Sequence, residues 1–259
     1  MDGNNRTPAR AKKTAVITQA RMSSTRLPGK VMKEMAGKTI LAHFIERLLR
    51  MKTIDSVIVA TTTGQEDDVI VREVEANFPN VLIFRGDRDD VLDRYYQAAK
   101  KFNVATVIRI TSDCPLVDPS VSDEVVQKFR KEKCDYGANN FPPRSYPLGL
   151  DTEVFSFEAL ERAWQEAKDP REREHVTPYI REHPDLFKTC EVRSPRALGD
   201  LRWTVDYAED YQFASEVFRR LYPVKPGFGM QDVLDLLRQE PGLQKLNEKH
   251  AHPQEKAKK

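Results

Sequence analysis

Arg21, Arg26 and Lys30 are spaced R-x4-R-x3-K in the stretch QARMSSTRLPGK, among the hydroxyls of Ser23, Ser24 and Thr25, and Pro28-Gly29 turns the chain just before the lysine. Fixed cations, hydroxyls and exposed backbone N–H groups suit a triphosphate, which has dense negative charge and many acceptor oxygens. A solvated basic turn is the plainer alternative for this spacing. Position separates the two readings. Residues 14–18, TAVIT, are short, β-branched and apolar, the pattern of a parallel strand covered on both faces. The carboxyl end of such a strand is where open α/β sheets bind ligands. The chain here has neither G-x4-G-K-[ST] nor G-x-G-x-x-G, so it is not one of the common phosphate loops.

Chemistry on a triphosphate depends mostly on positioning and charge neutralisation, so a metal site is expected. Mg2+ takes one or two carboxylates together with phosphate oxygens and water. Two aspartates are placed for this role. Asp113 in RITSDCPLVDP follows an apolar run and is stiffened by Pro115, and Asp206 in LRWTVDYAED precedes a helical pattern. An Asp after a strand also serves as a cap or turn residue, and Asp118, Glu209 and Asp210 are adequately explained that way.

Three further stretches carry polar groups in useful combinations. In FRGDRDDVLDRYYQAA, Arg85 and Gly86 end a strand and Asp89 or Asp90 can cap the helix that carries Arg94. In DYGANNFPPRSYPLGLD, Asn139, Asn140, Arg144, Tyr146 and Asp151 offer amides, a guanidinium, a phenol and a carboxylate, as a polyhydroxylated acid would require. His175 in REREHVTPYIREHP could help to deprotonate a hydroxyl, although a lone His on a helix also serves structurally. Arg202 and Trp203 read as wall residues.

These groups need a scaffold, and the chain supplies alternating elements. Strands are expected at 14–18, 56–62, 81–84 and 104–110, with helices at 39–51, 66–78, 90–102 and 120–133 between and after them. That alternation implies an α/β fold with a parallel sheet, right-handed crossovers and helices on both faces. Residues 135–150 are too rich in Gly, Pro and Asn for a core element. A strand EVFSF, helices over 157–168 and 171–181, strands FKTCEVR and LRWTV, and helices over 209–221 and 230–238 complete the expectation. Residues 1–12 read as a disordered leader, 13–223 as one catalytic domain and 224–259 as a helical extension ending in a mobile tail.

Composition excludes several classes. With 259 residues, 32% charged, 39% hydrophobic and a net charge of +2, nothing calls for nucleic acid as a partner. The apolar runs fall well short of a membrane span and no signal peptide is evident, which places the protein in the cytoplasm. Cys114, Cys134 and Cys190 are scattered, without metal-type spacing, and read as free thiols.

QARMSSTRLPGK, TSDCPLVD and WTVDYAED together resemble the cytidylyltransferases that activate acidic sugars, and the spore-coat polysaccharide branch most of all. The resemblance covers about residues 13–223. It implies a three-layer α/β/α nucleotidyltransferase fold and transfer of CMP from CTP to a hydroxyl of an acidic sugar or related acceptor, with release of pyrophosphate. By resemblance, Arg26 and Lys30 are the main phosphate contacts. Ala20, Arg21, Ser23, Arg85, Asp90, Arg94 and Arg109 complete the nucleotide pocket, and Asp113 and Asp206 hold Mg2+. Residues 135–200 would bind the acceptor and help to form a homodimer. Arg109 and Thr111-Ser112 stand where the octulosonate enzymes have Gln and Gly, which leaves the acceptor open. Two rivals compete. Asp87-Arg88-Asp89 fits the D-x-D pattern of metal-dependent glycosyltransferases that use nucleotide sugars, and a non-catalytic nucleotide-binding subunit would carry a similar loop.

Overall fold

Residues 13–251 are described in the computed structural model of the chain; the expected leader and the last part of the tail lie outside them. The apolar run at Thr14 belongs to β1 (Lys13–Gln19). A two-stranded hairpin, β2 (Glu34–Met35) and β3 (Lys38–Thr39), turns at Ala36-Gly37, both with positive φ, and leads to α1 (Ile40–Leu48). Thr39 caps α1 by accepting from the Ala42 amide at 3.0 Å, as the hydroxyl before the apolar stripe suggests. The chain then alternates through β4 (Ser56–Thr62), α2 (Asp68–Asn77), β5 (Leu82–Gly86), α3 (Val91–Phe102), β6 (Val104–Arg109) and α4 (Pro119–Glu132). It continues with β7 (Tyr136–Ala138), β8 (Glu153–Ser156), α5 (Phe157–Glu166), α6 (Pro170–His175), α7 (Pro178–Glu182), β9 (Thr189–Glu191), α8 (Ala208–Leu221) and α9 (Met230–Gln239).

The main sheet has the order β5-β4-β1-β6-β8-β7-β9, and β8 alone runs against its neighbours. Side chains along the central strands alternate between two apolar layers. Val16, Val57 and Val59 pack on one face with α1, α4, α8 and α9, while Ala15, Ile17, Ile58 and Ala60 pack on the other with α3 and α5. This is the expected α/β/α sandwich, and the double coverage is why these strands read as unbroken apolar runs. Among the described residues no helix is long and apolar enough to cross a membrane.

The structure departs from expectation in four places. The irregular segment contains β7, a fully buried strand, because its hydrogen-bond partners β8 and β9 are distant in sequence. The segment LRWTV is not a strand. Leu148 and Arg202 form a single parallel bridge, and Gly149, at φ 111°, lets this backbone approach so closely that a Cβ there would lie 2.6 Å from the Thr204 nitrogen. The helix expected over 171–181 is two helices, broken at Val176 and restarted at Pro178. The described residues after α9, 240–251, pack back through 3-10 turns at Pro241–Leu246 and Glu248–His250.

All three cysteines are free thiols and buried. Cys134 and Cys190 nonetheless lie together with Glu132, their ligand atoms within 4.8 Å of one another, a proximity created by β7–β9 pairing and invisible in the sequence spacing.

Candidate active site

The loop after β1 is held at both ends. The Ala20 amide donates to the Ala60 carbonyl at 3.3 Å, and the Met22 amide donates at 2.7 Å to Asp67, a buried carboxylate that also accepts from the Thr62 hydroxyl. At the far end the Gly29 amide returns to the Met22 carbonyl at 3.0 Å. Gly29 has φ 66°, a conformation that glycine adopts without steric cost, and starts the 3-10 turn Lys30–Met32. Lys30 is thereby aimed across the end of the sheet.

Asp113 reaches the same point from β6. Ser112 donates to the Gln19 carbonyl at 2.7 Å, which ties this turn to the end of β1. The Asp113 carbonyl accepts from the Val205 amide at 2.8 Å, which brings the next residue, Asp206, alongside. Lys30 Nζ lies 2.9 Å from Asp113 Oδ2, 2.8 Å from Asp206 Oδ1 and 2.9 Å from the Val205 carbonyl. Arg26 reaches Asp206 Oδ1 at 2.8 Å, and Arg202 reaches Oδ2 at 3.2 Å. Burial disfavours the charged form of Lys30, but the two carboxylates outweigh it and hold the ammonium above its ordinary pKa. Burial likewise pushes Asp206 up, and Lys30 and Arg26 more than reverse this, so its carboxyl lies below the usual range.

A cleft of about 380 Å³ opens over this cluster. Its lining includes Arg21, Ser24, Thr25, Arg26, Lys30 and Asp113, and Arg94 enters from α3. Arg94 is 1% exposed; its Nη1 donates to the Asp87 carbonyl at 2.9 Å, while Nε has no acceptor. Desolvation lowers its pKa from the ordinary arginine value. A buried guanidinium that lines a cleft is suited to an anionic or carbonyl ligand.

Glu174 and His175 line the cleft from the end of α6. They are placed there by a backbone feature at Val176, whose φ of 72° and ψ of −54° accompany a Thr177 N–H to His175 carbonyl bond of 2.9 Å. This is a γ-turn of the rare hand, strained for a β-branched residue. Surrounding structure compels it: the Val176 side chain is fully buried, and Thr177 donates at 2.7 Å to Glu153, itself buried against Arg109 and Tyr136.

Residues 15–224 match the cytidylyltransferase family. The chain belongs to that family. A cytidylyltransferase from Leptospira borgpetersenii has the same fold at a TM-score of 0.85 and 33% identity, over 90% of this chain and 97% of that one. An uncharacterized protein of Methanocaldococcus jannaschii is 37% identical over 89% of this chain and 93% of its own length. The spore coat polysaccharide biosynthesis protein SpsF of Bacillus subtilis is 30% identical over 87% of this chain and 94% of its own. This cytidylyltransferase is thus a nucleotidyltransferase that moves a cytidylyl group from CTP.

In this cytidylyltransferase the expected residues divide into two groups. Arg21, Arg26, Lys30, Arg94, Asp113, His175 and Asp206 line the cleft, joined by Gln19, Thr111, Ser112 and Glu174. The others lie outside the cleft lining, most of them with partners of their own. Ala20 and Ser23 frame the loop without lining the cleft, where Ser24 and Thr25 stand instead. Arg85 binds Asp68 at 2.6 Å and the carbonyls of Thr62 and Gly64, fastening β5 to the start of α2. Asp90 caps α3 and pairs with Arg173 of α6, and Arg109 pairs with Glu153. Asn139 bridges the Leu150 carbonyl and the Thr152 amide, both at 2.8 Å, while Asn140 is half-buried outside the cleft lining. Arg144 forms a forked pair with Asp151, and Tyr146 lies 3.3 Å from Glu124; burial first and the Glu124 charge second push its phenol up to about 12. Arg202 is buried and acts on Asp206 and Asp210 rather than on the cleft. Polar residue types mark such positions in a sequence, but whether a partner already occupies them depends on tertiary contacts.

Asp87, the first carboxylate of the D-x-D triplet, accepts from the Asp89 and Asp90 amides at 2.8 Å each and shapes the turn into α3. Cys114 is buried, and desolvation drives its thiol far above its ordinary pKa, which removes it as a nucleophile. Lys30→Ala should lower kcat/KM for CTP by about 10- to 100-fold, the range of a lost charge-assisted contact. Pyrophosphate release under limiting CTP reads this directly, and an unchanged value would remove Lys30 from phosphate binding.

Proposed function

We propose that this cytidylyltransferase transfers CMP from CTP to a hydroxyl of an acidic sugar or related acceptor, acting as a homodimer in the cytoplasm, and so activates a building block for surface polysaccharide or glycan synthesis. The observation that carries the reading is the convergence of Asp113 and Asp206 on one cationic point at 2.9 and 2.8 Å, beneath a cleft walled by Arg21, Arg26 and Arg94. One carboxylate from the turn after β6 and one from the segment leading into α8 form an oxygen-only donor set, which fits a hard dication such as Mg2+ completed by phosphate oxygens and water. When bound, Mg2+ would neutralise charge on the triphosphate and orient it.

The side chains supply the remainder. Lys30, Arg26 and Arg21 hold the phosphate oxygens, and Arg94 holds the nucleotide from the α3 side. The acceptor hydroxyl attacks the α-phosphorus, a new P–O bond forms as the bond to the bridging oxygen of the β-phosphate breaks, and pyrophosphate leaves. His175, on the cleft wall, contacts the acceptor in this reading and could help to deprotonate its hydroxyl. Attack in line is favoured by this fixed geometry more than by any covalent participation of the protein.

Thermal unfolding with CTP, UTP, ATP and GTP, each with and without Mg2+, tests the nucleotide and metal parts together. A ligand at about 100 times its Kd stabilises the native state by about 2.7 kcal/mol, which shifts Tm by a few degrees for a domain of this size. CTP with Mg2+ should give the largest shift. A response to nucleotide sugars with none to CTP would overturn the proposal.

A further inference from the structure

The C-terminal segment after α9 contributes to the catalytic end of the molecule. Leu243 is buried in the core, and Asn247 is 2% exposed. Asn247 Nδ2 donates to the Arg202 carbonyl at 2.9 Å and to Asp210 Oδ1 at 3.0 Å. Asp210 is fully buried and binds Arg202 through both oxygens, at 2.9 Å each. Its Oδ2 also accepts the backbone amides of Asp206 and Tyr207 at 3.0 Å, while Arg202 Nη2 reaches the Asp206 carboxylate at 3.2 Å. An unbroken chain of hydrogen bonds therefore leads from Asn247 to Asp206. Beside it, the His250 ring stacks on Tyr207 with centroids 3.9 Å apart and planes within 5°, and the Arg26 guanidinium lies 5.4 Å from the centre of the same Tyr207 ring. Glu209 anchors the end of the segment through Lys249 at 2.6 Å and His250 at 3.0 Å.

We infer that residues 241–250 are a built-in part of the active site, with Asn247 the positioning residue for Asp206 and His250 the positioning residue for Arg26. The inference rests on the metal role proposed for Asp206. Asn247 suits the task because its amide donates two hydrogen bonds to acceptors that would otherwise be buried without that partner, and so fixes Asp210, which in turn fixes the backbone at residue 206. Partners one step removed from a metal ligand commonly alter metal affinity by about 10- to 100-fold.

The test compares Asn247→Ala, Asn247→Asp, His250→Ala and Asp206→Asn in the full chain. It measures pyrophosphate release against Mg2+ concentration, Mn2+ affinity in the presence of CTP, and thermal unfolding. Asn247→Ala should raise the Mg2+ concentration for half-maximal rate about tenfold. Asn247→Asp, which keeps the shape but loses the donors and sets a charge against Asp210, should raise it further. His250→Ala should raise KM for CTP about three- to tenfold with Mg2+ dependence unchanged, the effect of losing an aromatic stack. A merely structural segment would instead lower Tm while the folded enzyme kept its Mg2+ dependence and KM, which would overturn the inference. If Asp206→Asn itself leaves the Mg2+ response intact, the metal reading fails. If Asp206→Asn removes that response and the Asn247 variants preserve it, the positioning role alone fails.

Discussion

Asp113→Asn and Asp206→Asn are each expected to lower turnover by about 10³-fold or more while leaving the fold intact. Each change is nearly isosteric, and each removes a charge from the point where Lys30, Asp113 and Asp206 meet. Neither side chain belongs to the apolar layers, and both stand at the ends of elements held by backbone contacts, such as the 2.8 Å bond from Val205 to the Asp113 carbonyl. Losing one carboxylate also leaves the Lys30 ammonium with a single acidic partner, so the remaining site is poorer in negative charge for a dication. Burial would raise the Asp206 carboxyl, but Lys30 and Arg26 outweigh it and hold the group below its ordinary 3.8, so it is ionised near neutral pH. An acid limb in the rate profile near neutrality therefore belongs to another group. Pyrophosphate release by purified variants of unchanged circular dichroism is the measurement, and near-normal release by either variant would remove that aspartate from the metal site.

Glu153→Ala should cost about 3–5 kcal/mol of stability, a large share of the roughly 5–15 kcal/mol that maintains a typical fold. Glu153 is 3% exposed on β8 and receives Arg109, the Tyr136 hydroxyl at 2.6 Å and the Thr177 hydroxyl at 2.7 Å. Removing it strands a guanidinium and two hydroxyls at once. Burial alone would raise the Glu153 carboxyl, but the Arg109 charge and the three donors outweigh it and hold the group below its ordinary 4.5. Its contribution is thus present above the unfolded-state value and is lost as pH falls through the lower folded-state value. Denaturant titrations from pH 7 downward should show wild-type stability falling faster than that of Glu153→Gln in the acid range. Parallel curves would mean that Glu153 carries no ionic contribution. Because Thr177 leans on Glu153 next to the strained turn at Val176, the Ala variant should also loosen His175.

The central scaffold was readable because its physics is local. The strand expected at 56–62 coincides with β4, and the runs at 14–18 and 104–110 differ from β1 and β6 by a residue or two at their ends. Doubly covered parallel strands write themselves as continuous β-branched runs, and groups at their carboxyl ends become ligand candidates by position alone. Arg26, Lys30 and Asp113 reach the cleft for that reason, whereas Asp206 lies there although the strand expected before it is only the bridge between Leu148 and Arg202. Arg85, Arg109 and Arg144 were not legible in this way, because an arginine aimed at a ligand and one aimed at Asp68, Glu153 or Asp151 look alike in a sequence. The docked segment after α9 escaped for a related reason. Its polar composition resembles a solvated tail, and it is attached by two leucines, Leu243 and Leu246, and by polar contacts of Asn247, Lys249 and His250 that no periodicity marks. The break at Val176 depended on burial of that side chain, which no helical periodicity reveals.

The clasp of Asp67 on the Met22 amide and the Thr62 hydroxyl joins the first loop to the end of the neighbouring strand through a buried carboxylate. The freedom of the loop's root is surrendered when the protein folds, before any nucleotide arrives. What remains to be ordered on binding is chiefly the outer arc around Thr25 to Leu27 and the half-exposed Arg26 side chain. On the phosphate role proposed for this loop, the entropic penalty of gathering several cations around one polyanion is largely carried by the folding equilibrium, and most of the attraction is left to appear as affinity.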